Sequence, residues 1–179
     1  MIWKSRDGNQ LQSGTVCGII QIVSKNTRKN CILCEGGMYM RYLLFISHGG
    51  FADGLTEALG MMVGQREDIV KVSFRDGMGL PEFKEHVKKE IAPMTPDDEI
   101  IVMADLVSGS PLATTMDALS EHVDLSKVRA VAGMNLPMAL TAVENEEEPL
   151  DATVAAMMEV AKEQVTPFNL DTGGEDDDI

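Results

Sequence analysis

Leu43-Leu44-Phe45-Ile46-Ser47-His48-Gly49-Gly50-Phe51-Ala52-Asp53-Gly54 decides the fold: an apolar strand runs into a histidine, then two glycines, then a helix. Ligands of open α/β sheets bind outside the carboxyl ends of the strands, where helix N-termini offer N–H groups and a positive dipole end to anions. A histidine at that place meets an anion, and a neutral imidazole keeps one nitrogen lone pair for nucleophilic attack. The plain structural alternative is a histidine that only caps the helix.

Outward from this unit the chain is regular. Arg41 to Ile46 reads as a buried strand, and Phe51 to Val63 as a helix with Leu55, Leu59 and Met62 on one face. Ile69 to Phe74 is a short alternating strand. Pro81 opens a helix whose Phe83, Val87 and Ile91 share a face, and Pro93 to Pro96 ends it. Ile100 to Leu106 is the most apolar strand candidate; Ser110 is the expected N-cap of a helix with Pro111 first and Leu112, Met116 and Leu119 inward. Val128 to Ala132 is a fourth strand, Leu136 to Val143 a short helix, and Leu150 to Lys162 an amphipathic helix with Val154, Met157, Met158 and Ala161 inward. Alternating strands and helices imply an α/β fold: an open, mainly parallel sheet of about four strands with helices on both faces.

Length and charge bound the function. The 179 residues suit one well-buried domain. A formal net charge of −14 disfavours a nucleic-acid groove or an anionic membrane surface, and no apolar run approaches the roughly 20 residues a membrane helix needs. Residues 1–39 carry five Lys/Arg against two Asp/Glu and hold all 3 Cys, which leaves −17 on the remainder. Cys31 and Cys34 alone make a weak redox or metal half-site. Glu35-Gly36-Gly37 is encodable by codons containing GGAGG, a bacterial ribosome-binding sequence, a short spacer before Met40. Residues 1–39 are therefore expected to be a leader-like, loosely ordered segment, residues 40–170 the domain, and residues 171–179 a solvated acidic tail. Intact mass of the protein from its native host tests that start.

Three loops share the carboxyl edge of such a sheet: Ser47 to Gly50, Asp105 to Pro111, and Gly133 to Pro137. Asp105 is placed to hold one imidazole nitrogen of His48, fixing the tautomer and stabilising positive charge on the ring. Ser108, Gly109 and Ser110 open a helix and offer N–H groups and a hydroxyl to an anion, which suits phosphoryl transfer. Structurally, Asp105 can be a turn former and Ser110 an ordinary N-cap. His86, beside Lys84, Lys88 and Lys89, reads as a solvated helix face, and His122 as a cation at a helix end. Most of the 13 Met are expected to fill core gaps, and Glu144 to Glu148 to form a solvated loop.

The set Ser47-His48-Gly49-x-Phe51-Ala52-x-Gly54, Asp105-x-x-x-Gly109-Ser110-Pro111 and Ala132-Gly133-Met134-Asn135-Leu136-Pro137-Met138 resembles the IIA component of the mannose/fructose/sorbose family of the phosphoenolpyruvate-dependent sugar phosphotransferase system. The likeness covers residues 40 to about 165. It implies that His48 accepts a phosphoryl group from the phosphocarrier HPr and passes it to a IIB subunit, and that Asp105 hydrogen-bonds His48. It further implies that Ser108 to Ser110 lie against the phosphoryl group, and it makes Gly49, Phe51, Asn135 and Pro137 supporting or partner-facing residues. No metal or cofactor is required. The resemblance implies a cytoplasmic homodimer, with Val165 to Leu170 as the candidate exchanged edge strand and the membrane IIC and IID subunits as indirect partners. Ser108 stands where the family usually has glycine. The rival readings are the phosphoryl-accepting subunit of a dihydroxyacetone kinase system and a non-catalytic anion-binding regulatory module.

Overall fold

A computed structural model describes residues 18–24, 27–34 and 37–168. In chain order the elements are β1 (Gly18–Ser24), β2 (Thr27–Cys34), β3 (Gly37–His48), α1 (Phe51–Val63), β4 (Ile69–Phe74), α2 (Leu80–Ile91), β5 (Glu99–Ala104) and α3 (Ser110–Ser120). A 3-10 turn, Leu125–Lys127, then leads into β6 (Val128–Ala132), α4 (Leu136–Glu144) and α5 (Leu150–Glu163). Four strands are parallel in the order β4-β3-β5-β6, with Leu43 opposite Ile69 and Ile101, and Ile100 opposite Val128.

This is the four-strand parallel sheet that the alternation of elements demands, and its central strand explains why. Residues 41–47 of β3 are all buried, as a strand covered on both faces must be. Leu43 and Phe45 pack with Leu55 and Leu59 of α1, Met138 and Ala142 of α4 and Met157 of α5. Tyr42, Leu44 and Ile46 face the other way, onto Phe83 and Val87 of α2 and Leu119 of α3. The two faces are the two parities of the strand.

β3 starts four residues before the expected strand. Through residues 37–40 it pairs antiparallel with β2, which pairs antiparallel with β1 in the register Gly18 to Leu33. Within the segment expected to be leader-like, Gly18–Ser24 and Thr27–Cys34 form strands. Residues 1–17 and 169–179, the acidic tail included, lie outside the described residues. Of the candidate edge strand, residues 165–168 form no regular element, with Val165 and Phe168 exposed, and Asn169 and Leu170 lie outside the described residues.

Some inward assignments differ. Met62 is exposed, and α1 buries Ala52, Leu55 and Leu59 instead; α5 buries Leu150, Thr153, Met157 and Ala161 while Met158 is exposed. At the end of α1 it is Val63, not Met62, that packs against the core around Leu55 and Leu59. At the amino ends of the strands a buried polar network closes the sheet. The Arg41 guanidinium donates to Glu99 at 2.7 Å and to Thr153 Oγ1 at 3.0 Å. Glu146, expected on a solvated loop, accepts from Arg66 at 2.7 Å. Among the described residues no helix is long and apolar enough to cross a membrane.

Candidate functional site

The chain leaves β3 towards β4 on one side, then crosses back to β5 on the other, so the sheet order reverses between β3 and β5. That is the switch point where open α/β sheets form a crevice. His48 ends β3 and Asp105 follows β5, one on each side of it.

Asp105 Oδ2 accepts two hydrogen bonds from His48, one from the backbone N–H at 2.8 Å and one from ring Nδ1 at 3.0 Å. Oδ1 accepts the N–H of Leu106 at 2.8 Å. A carboxylate only accepts, so Nδ1 carries the ring hydrogen and Nε2 keeps its lone pair. Burial pushes the Asp105 carboxyl up, but the bonds from the His48 amide and ring and the Leu106 amide outweigh it and hold the group below its ordinary range. The His48 side chain is 43% exposed against 17% for Asp105: the acid is inside and the imidazole reaches out.

The backbone around the histidine is fixed from several elements. Asp105 N–H donates to Ile46 O, and Gly49 N–H to Phe74 O at 2.8 Å, with Gly49 at φ 56, a conformation glycine adopts cheaply. Ser47, fully buried, accepts the Ala52 N–H at 2.8 Å and so starts α1 from the strand residue beside His48. Phe74 packs edge-on against the imidazole at 6.1 Å and against Phe83 at 5.2 Å. The side chain of Phe51 is half exposed on the first residue of α1.

The second loop approaches closely. A Cβ on Gly109 would stand 3.0 Å from His48 Cε1, so the start of α3 lies against the ring. Gly109, not Ser110, is the N-cap of α3, with extended backbone and no side-chain cap bond; Ser110 is the first helical residue. That corrects the expected cap; Ser108 and Ser110, which flank the glycine lying against the ring, are both exposed. The third loop is stitched to β5: Gly133 N–H donates to Asp105 O and Met134 N–H to Ala104 O. Asn135 there caps α4 by accepting the Met138 N–H at 2.9 Å, with Pro137 in the first turn, which gives both a structural role.

His122 and His86 stand elsewhere. His122 bonds Met94 O through Nε2 at 3.0 Å, and His86 is exposed on α2. Sequence reasoning missed a cluster beside the site, in which Asp53 of α1 accepts from Ser73 Oγ at 2.8 Å, pairs with Lys71 at 3.3 Å and bonds Arg75. Its members come from separate elements, and no local spacing announces them.

A family model described as PTS system fructose IIA component, EIIA-man, matches residues 42–162. The fructose-specific EIIA component of Bacillus subtilis is 24% identical over 98 residues, 55% of this chain and 65% of its own length, just under two thirds. The sorbose-specific EIIA component of Klebsiella pneumoniae is 26% identical over 107 residues, 60% of this chain and 76% of its own. Among solved structures, the mannose/sorbose specific IIA subunit from Enterococcus faecalis superposes with a TM-score of 0.64 at 28% identity, covering 73% of this chain and 96% of that one. The phosphotransferase EIIA from Streptococcus agalactiae does so with a TM-score of 0.63 at 27% identity, covering 72% and 98%.

Proposed function

Since this chain belongs to the EIIA-man family of sugar phosphotransferase system components, we propose that it carries a phosphoryl group on His48, taken from phospho-HPr and handed to a IIB subunit. The observation that carries the reading is the 3.0 Å contact between His48 Nδ1 and Asp105. It leaves the Nε2 lone pair for attack, on a side chain 43% exposed that a protein donor can reach.

In this mechanism the Nε2 lone pair attacks phosphorus in line as the donor's P–N bond breaks, and the donor imidazole leaves with that electron pair. Positive charge grows on the His48 ring and is stabilised by the carboxylate of Asp105. The three non-reacting phosphoryl oxygens meet the first amides of α3 and the hydroxyl of Ser110, with Ser108 and Gly109 shaping the approach. Handover to IIB is the same displacement in reverse, with His48 as leaving group. No proton has to be removed from Nε2 in either step. Gly49 lets the chain turn away behind the ring, and Phe51, Asn135 and Pro137 flank the docking face.

The carrier is proposed to work in the cytoplasm as a homodimer, with IIB passing the phosphoryl group on to the sugar and the membrane IIC and IID subunits as indirect partners. The test is incubation with phosphoenolpyruvate and the general transfer proteins. Acid-labile, base-stable phosphate on the wild type and none on His48→Ala is expected; labelling that survives in the mutant refutes the site.

A further inference from the structure

Beside the histidine loop, between β4, the first turn of α1 and one side of α2, lies an open cavity of about 330 Å³. Lys71, Arg75, His86 and Lys89 face it together with Asp53 and Glu90. In a chain of net charge −14, three Lys/Arg against two carboxylates, with a histidine beside them, make this a locally basic spot. Asp53 is already occupied, held by Ser73, Lys71 and Arg75. Its bond to Arg75 uses Nη2, and Nη1 lies towards Gly50, 3.1 Å from where a Cβ would stand there. Lys89 makes no ion pair with a described residue. Val72 and Met78 give the cavity an apolar wall.

We propose that this cleft is a second anion site, separate from the His48 crevice, that binds a small organic phosphate. A phosphate monoester carries between about −1.5 and −2 charge near neutral pH and matches the fork of Arg75 and the point charges of Lys71 and Lys89. The cavity volume is at the lower end of small-ligand sites, about 300–1,000 Å³, and the wall of Val72 and Met78 receives a carbon skeleton that inorganic phosphate lacks. One residue of strand separates the cleft from the histidine. Phe74, between Ser73 and Arg75, accepts the Gly49 N–H and packs on the imidazole.

The test is a titration of the full chain, followed by amide NMR, with glycerol 3-phosphate, inorganic phosphate and glycerol in separate arms. Saturable shifts along Lys71–Met78 and Glu85–Glu90 with glycerol 3-phosphate, and weaker binding of the other two, are expected. Lys89→Gln and Arg75→Gln should each weaken binding about tenfold, the size of one charge-assisted bond. Both residues are on the surface, and unchanged thermal melts verify the fold. His48→Ala should bind as the wild type does, so the site stands or falls independently of the phosphoacceptor. Shifts centred on Gly109 and Ser110, no saturation, equal binding of inorganic phosphate or glycerol, or unaltered binding by both variants overturns the proposal.

Discussion

At the scale of the residue, one carboxylate decides which nitrogen of His48 is available. Asp105→Asn removes a charge-assisted hydrogen bond worth about 1.5–3 kcal/mol and, because an amide can also donate, frees the ring to turn. Phosphorylation of His48 by phospho-HPr should slow by about ten- to a hundredfold, read in a single-turnover transfer assay. The pair also sets a pH dependence of stability. Asp105 titrates below its ordinary value of 3.8 in the folded chain, so its contribution is complete above that pH and is lost as pH falls through the lower folded value. Thermal melts should therefore give Asp105→Asn a full penalty at pH 6 that shrinks on acidification below pH 3.8. Gly109→Ala is a separate test of the close approach: its φ of −79 suits alanine, but the methyl group meets His48 Cε1 at 3.0 Å. Transfer should fall while the melting temperature holds.

At the scale of the element, burial separates residues that periodicity groups together. Leu59 is fully buried between α1 and the sheet, whereas Met62, three residues on, is 56% exposed. Leu59→Ala should cost about 2–5 kcal/mol in denaturant unfolding and Met62→Ala within about 0.5 kcal/mol of nothing. The order and type of the elements from β3 to α5 were legible in the chain because short apolar strand runs alternate with helical periodicity, while boundaries moved: β3 begins four residues early, and β5 runs Glu99–Ala104 where Ile100 to Leu106 was expected. The His48 and Asp105 pairing was legible too, since both follow central strands of one parallel sheet. What was not legible depends on distant partners. Ser110 loses the cap to Gly109 because the loop from Asp105 arrives extended at the glycine, and Asp53, Ser73 and Arg75 meet only once β4 lies beside α1. The β1 and β2 hairpin was hidden by a charged, cysteine-bearing stretch whose apolar run is short.

At the scale of the whole molecule, an acidic body carries the crevice that we propose holds a phosphoryl group. Local N–H groups and the α3 dipole must outweigh the surrounding negative potential at His48, while the acidic exterior draws a basic donor surface. Reversing charges on the basic rim of HPr should slow transfer at low ionic strength, and salt should erase the difference; equal rates at low salt contradict that docking. Val165 and Phe168, 81% and 88% accessible, lie on the segment that a dimer exchange would use, although residues 165–168 form no strand in the single chain. Phe168→Asp should shift the sedimentation of the protein from dimer to monomer. The central claim is that the nitrogen turned away from Asp105 bonds phosphorus. Long-range proton–nitrogen NMR of the protein phosphorylated through phosphoenolpyruvate and HPr tests it most directly: phosphorus on Nε2 of His48 is the predicted result, and phosphorus on Nδ1, or on any other residue, contradicts it.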